Sequence, residues 1–88
     1  MIYAGIDWGS TYHYVVVLSE DGAVLHKGRV AHSVPALEEL KAKLAELEPC
    51  AQNVQVVFEM HVGGLLAWLQ TQDYQLFMIV PKSSDRAR

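Results

Sequence analysis

The apolar residues of the chain gather in five short runs separated by polar and turn-forming segments, and each run predicts a β-strand. The predicted strands span 2–8, 11–20, 23–31, 54–59 and 75–80. The first, IYAGIDW, carries apolar groups on both faces, which is typical of a strand in the centre of a sheet. The third carries Lys27 and Arg29, and charged side chains are typical of an edge strand.

The second and third runs are separated by Asp21 and Gly22. An Asp-Gly pair between two strands is typical of a type I′ turn, in which both central residues have positive φ. We therefore expect a hairpin here, so that three antiparallel strands begin the fold.

Two stretches have helical spacing instead. The first has leucines on one face, at Leu37, Leu40, Leu44 and Leu47. Ser33 is a suitable N-cap, Pro35 fits the first turn, and Pro49 ends the helix. The second helix is expected over 63–72, where it would bury Leu65, Trp68 and Leu69.

The predicted element order is β-β-β-α-β-α-β in a single domain spanning 1–88. A strand–helix–strand crossover is right-handed and joins parallel strands. We place the fourth strand beside the first and the fifth beyond it. The resulting α/β sheet is mixed, with strand order 3-2-1-4-5. This is the core of the ribonuclease H-like (RuvC-like) fold.

Composition narrows the class of protein only slightly. The chain has 88 residues and a net charge of −3, so it has no overall basic character that would mark a nucleic-acid partner. Its single cysteine, Cys50, fits a reducing compartment. No apolar stretch approaches the ~18 residues of a membrane span, so we expect a soluble cytoplasmic domain without a membrane partner.

Two predicted strands end in an acid, Asp7 after the first and Glu59 after the fourth. If these strands are parallel neighbours about 4.8 Å apart, both carboxylates lie at the carboxyl edge of the sheet, where open α/β sheets bind ligands. Two adjacent carboxylates repel each other unless a hard divalent cation such as Mg²⁺ lies between them. Such a site would support phosphoryl transfer. The alternative is structural, because a single acid at a strand end is often a helix cap or a solvated turn residue.

Further candidates for nucleic-acid binding lie later in the chain. Gly63 and Gly64 begin the second predicted helix, where free backbone N–H groups can bind a phosphate oxygen, although they also suit a plain tight connection. Three basic residues form a strip that could contact phosphates or be an ordinary solvated tail: Lys82, Arg86 and Arg88. His61 could assist a metal, and the other histidines, His13, His26 and His32, are assigned to strands and loops without a chemical role.

The segments GIDWGSTYHYVVVLSEDG, VQVVFEM and VPK together resemble the N-terminal part of the DEDD transposases of insertion-sequence family one-ten, relatives of the Piv-type DNA invertases. The resemblance covers nearly the whole chain. It implies that Asp7 and Glu59 are the first two acids of a metal-binding tetrad. It also implies Mg²⁺ or Mn²⁺ as cofactor, DNA and a structured guide RNA as partners, and a homo-oligomer for the full-length protein.

The chain departs from the family pattern in three places. The family's two remaining aspartates lie in a K-T-D-x-x-D-like segment after the fifth strand, and its second domain carries a serine; neither occurs before Arg88. A threonine-glycine pair that commonly follows the glutamate is replaced by the segment 60–64, MHVGG. We therefore expect a fragment of a transposase that holds its metal weakly and does not cleave DNA alone.

Two other functions fit parts of the sequence. The segment Asp7–Ser10, DWGS, matches the short D-x-G-[ST] phosphate motif of sugar kinases with the actin-like fold, although their two large lobes do not fit in a chain of this length. A non-catalytic interaction domain, in which Asp7 and Glu59 are only structural, is the third interpretation. A continuation with K-T-D-x-x-D would favour the transposase, and a second D-x-G segment the kinase.

Overall fold

The computed structural model describes residues 1–7, 9, 11–59 and 64–79. The elements in chain order are the strands and helices β1 Ile2–Asp7, β2 Tyr12–Ser19, β3 Val24–Ala31, α1 Val34–Leu47, β4 Val54–Glu59, α2 Gly64–Gln70 and β5 Gln75–Ile79. A short 3₁₀ helix, Ala51–Asn53, precedes β4 and was not predicted.

The five strands form one sheet in the order β3-β2-β1-β4-β5. β1 and β3 each pair with β2 in antiparallel orientation, whereas β4 is parallel to both β1 and β5. The predicted order and the mixed character of the sheet are confirmed. β1 lies at the centre and β3 at an edge, as their composition indicated.

The turn between β2 and β3 differs from the predicted type I′ geometry. Gly22 has φ 91°, but no non-glycine residue in the described part of the chain has positive φ, so Asp21 does not take the conformation that a type I′ turn requires. Ser19 N–H donates to the Ala23 carbonyl at 2.9 Å, and Gly22 N–H donates to the Ser19 carbonyl at 3.0 Å. The loop therefore has three residues and ends in a left-handed glycine, and the register shifts just beyond it.

One face of the sheet is covered by the helices. The largest fully buried side chains include Phe58 and Val56 of β4, Val15 and Val17 of β2, and Leu44 of α1. α1 begins as predicted, because the Ser33 hydroxyl accepts a hydrogen bond from Ala36 N–H at 3.3 Å.

The second helix packs on the same face. Leu69 is buried, and the half-buried Trp68 donates its indole N–H to the Glu38 carboxylate at 3.2 Å, which joins α2 to α1. The predicted packing is thus confirmed for Leu69 and in part for Trp68. The side chain of Leu65 lies outside the described residues.

The opposite face of the sheet is not covered by any described helix. Along β1, Ile2, Ala4 and Ile6 are buried, whereas Gly5 and Asp7 are exposed. β1 is central, as its apolar composition predicted, but only its helix-covered face is buried. The open face is the one on which the candidate site lies.

No helix in the described part of the chain has the length and apolar character needed to cross a membrane.

Candidate metal-binding site

The two predicted acids lie side by side at one edge of the sheet. β1 and β4 are parallel neighbours whose last registered pair is Ile6 with Phe58, and Asp7 and Glu59 are the next residues of each strand. Both acids line the same shallow cleft of about 360 Å³, together with Tyr14, Val57 and Ile79. The expected juxtaposition at the carboxyl edge is confirmed, and the role of the two residues as metal ligands stays a prediction.

Both acids are exposed on the open face. Asp7 therefore does not incur the cost of a buried carboxylate, because water can solvate it. What makes the pair notable is its geometry: two carboxylates that follow adjacent strands about 4.8 Å apart present several oxygens to one cleft. Oxygen ligands of this kind suit Mg²⁺ and Mn²⁺.

The pair would supply only part of a coordination shell. In the described residues there is no group of three or more His, Cys, Asp or Glu side chains that could hold a metal ion. Mg²⁺ prefers six ligands and commonly keeps several waters when it is bound by one or two carboxylates. If Asp7 and Glu59 bind an ion, the described part of the chain supplies two of its ligands.

The turn that follows Asp7 is held by a close backbone approach. A Cβ atom at Gly9 would overlap the carbonyl oxygen of Tyr12, the first residue of β2. Any other residue at position 9 would force this turn to open, because the overlap is with backbone rather than with a flexible side chain. Glycine is therefore required at position 9 for this close approach to Tyr12.

A buried histidine holds the same turn. His13 on β2 is 1% exposed, and it is the one buried polar or charged residue among those described. Gly9 N–H donates to its Nδ1 at 3.3 Å. Since Nδ1 accepts this bond, the neutral ring carries its proton on Nε2.

His13 Nε2 lies 2.9 Å from Nδ1 of His32, so its proton is directed at that nitrogen. The two rings meet edge to face, with centroids 5.1 Å apart and an interplanar angle of 80°. His32 follows β3 and is exposed, and its backbone N–H donates to the Thr11 carbonyl at 3.0 Å. A chain of hydrogen bonds thus runs from the surface, through His13, to the turn after Asp7.

His13 has no chemical role predicted from the sequence. The available signal was its position along β2. Residues 13, 15 and 17 lie on the same face of this strand, where Val15 and Val17 are buried. A histidine at a core position needs hydrogen-bond partners, and this requirement could have identified it.

The remaining predicted site residues are only partly described. Gly64 is the first residue of α2. Gly63, His61 and all three residues of the basic strip, Lys82, Arg86 and Arg88, lie outside the described residues.

The sheet order and the pair of acids at its carboxyl edge define a class, the ribonuclease H-like domains. The solved structure of T. thermophilus RuvC in complex with a Holliday junction substrate is similar over 99% of this chain and 69% of that chain, with a TM-score of 0.56 and 16% identity. This likeness confirms the fold.

The family follows from sequence. Residues 4–88 match the family model of the IS110 DEDD transposases, described as "Transposase". The chain belongs to this family. It is also 32% identical, over 88 residues and 99% of its length, to a protein of Streptomyces coelicolor named as the mini-circle transposase for IS117.

The chain spans 21% of that relative's length. It therefore corresponds to part of an IS110-type DEDD domain, as the sequence resemblance indicated. The family match supports the transposase interpretation and not the sugar-kinase or interaction-domain alternatives.

Proposed function

We propose that this chain supplies the first two of four metal-binding acids in a transposase that cleaves and transfers DNA strands. The observation that carries the proposal is the placement of Asp7 and Glu59 on adjacent parallel strand ends, exposed to one cleft. Two unrelated caps or turn residues would not be expected to share a cleft. Membership in the IS110 family supports the same roles.

The ion proposed for this site is Mg²⁺ or Mn²⁺. When bound, such an ion polarises a phosphoryl oxygen and activates the attacking nucleophile. Asp7 and Glu59 hold and orient the ion through their carboxylate oxygens. The hydrogen bond between Gly9 and His13 restrains the turn behind Asp7, which limits the positions that its carboxylate can take.

DNA is the proposed substrate. The RuvC structure with the same fold was solved in complex with a Holliday junction substrate, which supports DNA as the substrate class. A guide RNA, a homo-oligomer of the full-length protein and a cytoplasmic location complete the proposal, and they rest on family resemblance. The proposed phosphate contacts are Gly63, Gly64, Lys82, Arg86 and Arg88.

Binding of Mn²⁺ followed by NMR tests the metal site directly. The paramagnetic ion broadens the signals of nearby nuclei, so the amides of Asp7 and Glu59 should broaden first during a titration. The variants Asp7→Asn and Glu59→Gln should each weaken this effect. The matched control is Asp73→Asn, an exposed acid in the loop between α2 and β5. Equal broadening at Asp73 and at the acid pair would show that the ion binds only by general attraction.

A further inference from the structure

The open face of the sheet carries basic and aromatic side chains beside the acid pair. Asp7 on β1 is registered with Tyr14 on β2, and Tyr14 is registered with Arg29 on β3. Directly paired residues of neighbouring strands point to the same face, so the three side chains follow one line across the sheet. Two antiparallel pairings place the Cα of Arg29 about 10 Å from the Cα of Asp7.

A second cation lies on the same face of β3. Lys27 is registered with Val16, two positions from Arg29, and both basic residues are exposed. Their Cα atoms are therefore about 7 Å apart along the strand. This spacing is comparable with that of successive phosphates along one nucleic-acid strand. Because the whole chain has a net charge of −3, this pair is not a product of a generally basic surface.

Two tyrosines border these cations. Tyr12 and Tyr14 are 42% and 41% exposed, and Tyr14 also lines the cleft that contains both acids. The Arg29 guanidinium carbon lies 4.6 Å from the centroid of the Tyr12 ring, which is a cation–π contact. This contact restrains the arginine before any ligand arrives, so less side-chain entropy is lost on binding. We call these four residues, Tyr12, Tyr14, Lys27 and Arg29, the basic–aromatic row.

We propose that the basic–aromatic row binds the DNA strand that enters the acid cleft. Arg29 and Lys27 contact successive phosphates, and the ring of Tyr14 stacks on the base or sugar next to the phosphate held at the metal. Exposed aromatic rings beside cations are the chemistry that binds single nucleic-acid strands. An apolar protein partner would instead leave both cations without water or a counter-charge.

This inference rests on the proposed function, because the DNA-cleaving role proposed for the acid cleft is what identifies the strand as DNA. The row lies within one or two nucleotides of Asp7 and Glu59, so the strand that it holds is the one presented to the metal for cleavage. The row would therefore position the substrate rather than take part in the chemistry.

Fluorescence anisotropy of the 88-residue chain with a labelled single-stranded DNA oligonucleotide tests the proposal. EDTA is included so that the metal site contributes nothing. Arg29→Ala should weaken binding and reduce the slope of log K against log salt by about 0.7, the value for one lost phosphate contact. Tyr14→Ala should weaken binding at least about fivefold, as expected for a lost stacking contact. Tyr14→Phe keeps the ring and should bind like the unmodified chain.

The matched control is Lys41→Ala, an exposed lysine on α1. The proposal is overturned if this variant loses as much affinity as Arg29→Ala, or if the unmodified chain does not bind the oligonucleotide at low salt. It is also overturned if the chain binds an RNA oligonucleotide of the same sequence more tightly than the DNA, and Arg29→Ala and Tyr14→Ala abolish this difference in affinity. Thermal melts of every variant confirm that each one folds.

The Mn²⁺ titration described above separates this proposal from the metal site. If Mn²⁺ broadens neither acid while Arg29→Ala and Tyr14→Ala still lose DNA affinity, the metal site fails and the row stands. If Mn²⁺ binds at the acids while both row variants bind DNA normally, the row fails and the metal site stands.

Discussion

Replacing His13 with leucine tests whether the buried histidine holds the turn behind Asp7. Leucine fills a similar volume at this core position, so the cavity left behind is small. The variant loses the hydrogen bond from Gly9 N–H at 3.3 Å and the bond to His32 at 2.9 Å. We expect the chain to fold with lower stability and with a less restrained turn.

The magnitude follows from the two distances. A hydrogen bond contributes about 0.5–1.5 kcal/mol to the free energy of unfolding. The 2.9 Å contact is near the optimum and the 3.3 Å contact is long, so their sum is about 1.5 kcal/mol. Gly9 and His32 are both exposed, and water can replace the lost partner of each, which adds little further cost. For a domain of this size the melting temperature should fall by roughly 6–12 °C.

Urea and thermal unfolding at neutral pH, followed by circular dichroism, measure this loss. His32→Ala alone should cost about 1 kcal/mol. The double variant should be little less stable than His13→Leu alone, because the bond that the two rings share is already absent in His13→Leu. The control is His26→Leu, a half-buried histidine on β3, which should stay within about 0.5 kcal/mol of the unmodified chain. Faster exchange of the Gly9 amide should accompany the loss in His13→Leu.

The reasoning is refuted if His13→Leu is as stable as the unmodified chain and its Gly9 amide exchanges at the same rate. A coupling energy between His13 and His32 below about 0.3 kcal/mol would refute the hydrogen bond between the two rings, but not the bond from Gly9 to His13.

Four further predictions follow from the same structure. Asp7→Asn should change the free energy of unfolding by no more than about 0.5 kcal/mol, because it relieves repulsion at an exposed site. Mg²⁺ should raise the melting temperature of the unmodified chain only. A loss of about 1 kcal/mol, with no effect of Mg²⁺ on the unmodified chain, would make Asp7 a structural cap. The 88-residue chain should not nick DNA with Mg²⁺ or Mn²⁺, and robust metal-dependent nicking that Asp7→Asn abolishes would contradict this. Gly22→Ala should cost about 1 kcal/mol, since the added Cβ meets no atom within 4 Å but φ is 91°, and an unchanged urea midpoint would argue against the left-handed turn. Burial, together with the nearby Glu38 carboxylate, raises the pKa of Tyr74. Because the unfolded chain then ionises at a lower pH than the folded chain, the stability should fall as the pH rises from about 10 through the raised pKa. Tyr74→Phe should remove this part of the alkaline loss in thermal melts measured across the same pH range.

Much of the fold could be predicted from sequence because its signals are local. Leucines at helical spacing and the Ser33 cap determine where α1 begins and which face it buries. Alternating runs locate the strands, and a right-handed crossover that joins parallel strands is consistent with β4 beside β1, where the structure has it. Once those strands are adjacent, the positions of Asp7 and Glu59 at their ends follow directly. The acid pair was therefore predictable.

The open face was not predictable in the same way. The first strand contains Tyr3, Gly5 and Ile6, and nothing in that pattern states which face a helix will cover. The number of helices that pack on each face of a sheet is a tertiary property, since it depends on where the crossovers pass. This property decides that Asp7 is solvated rather than buried.

Contacts between distant residues were also decided only by the tertiary structure. His13 and His32 are 19 residues apart, and the pairing of β2 with β3 brings their rings together. The line from Asp7 through Tyr14 to Arg29 likewise exists only in one strand register. A shift of one residue would turn alternate side chains to the other face, because side chains alternate along a strand. The sequence by itself therefore determined the elements and the acid pair, whereas register and helix placement decided what surrounds them.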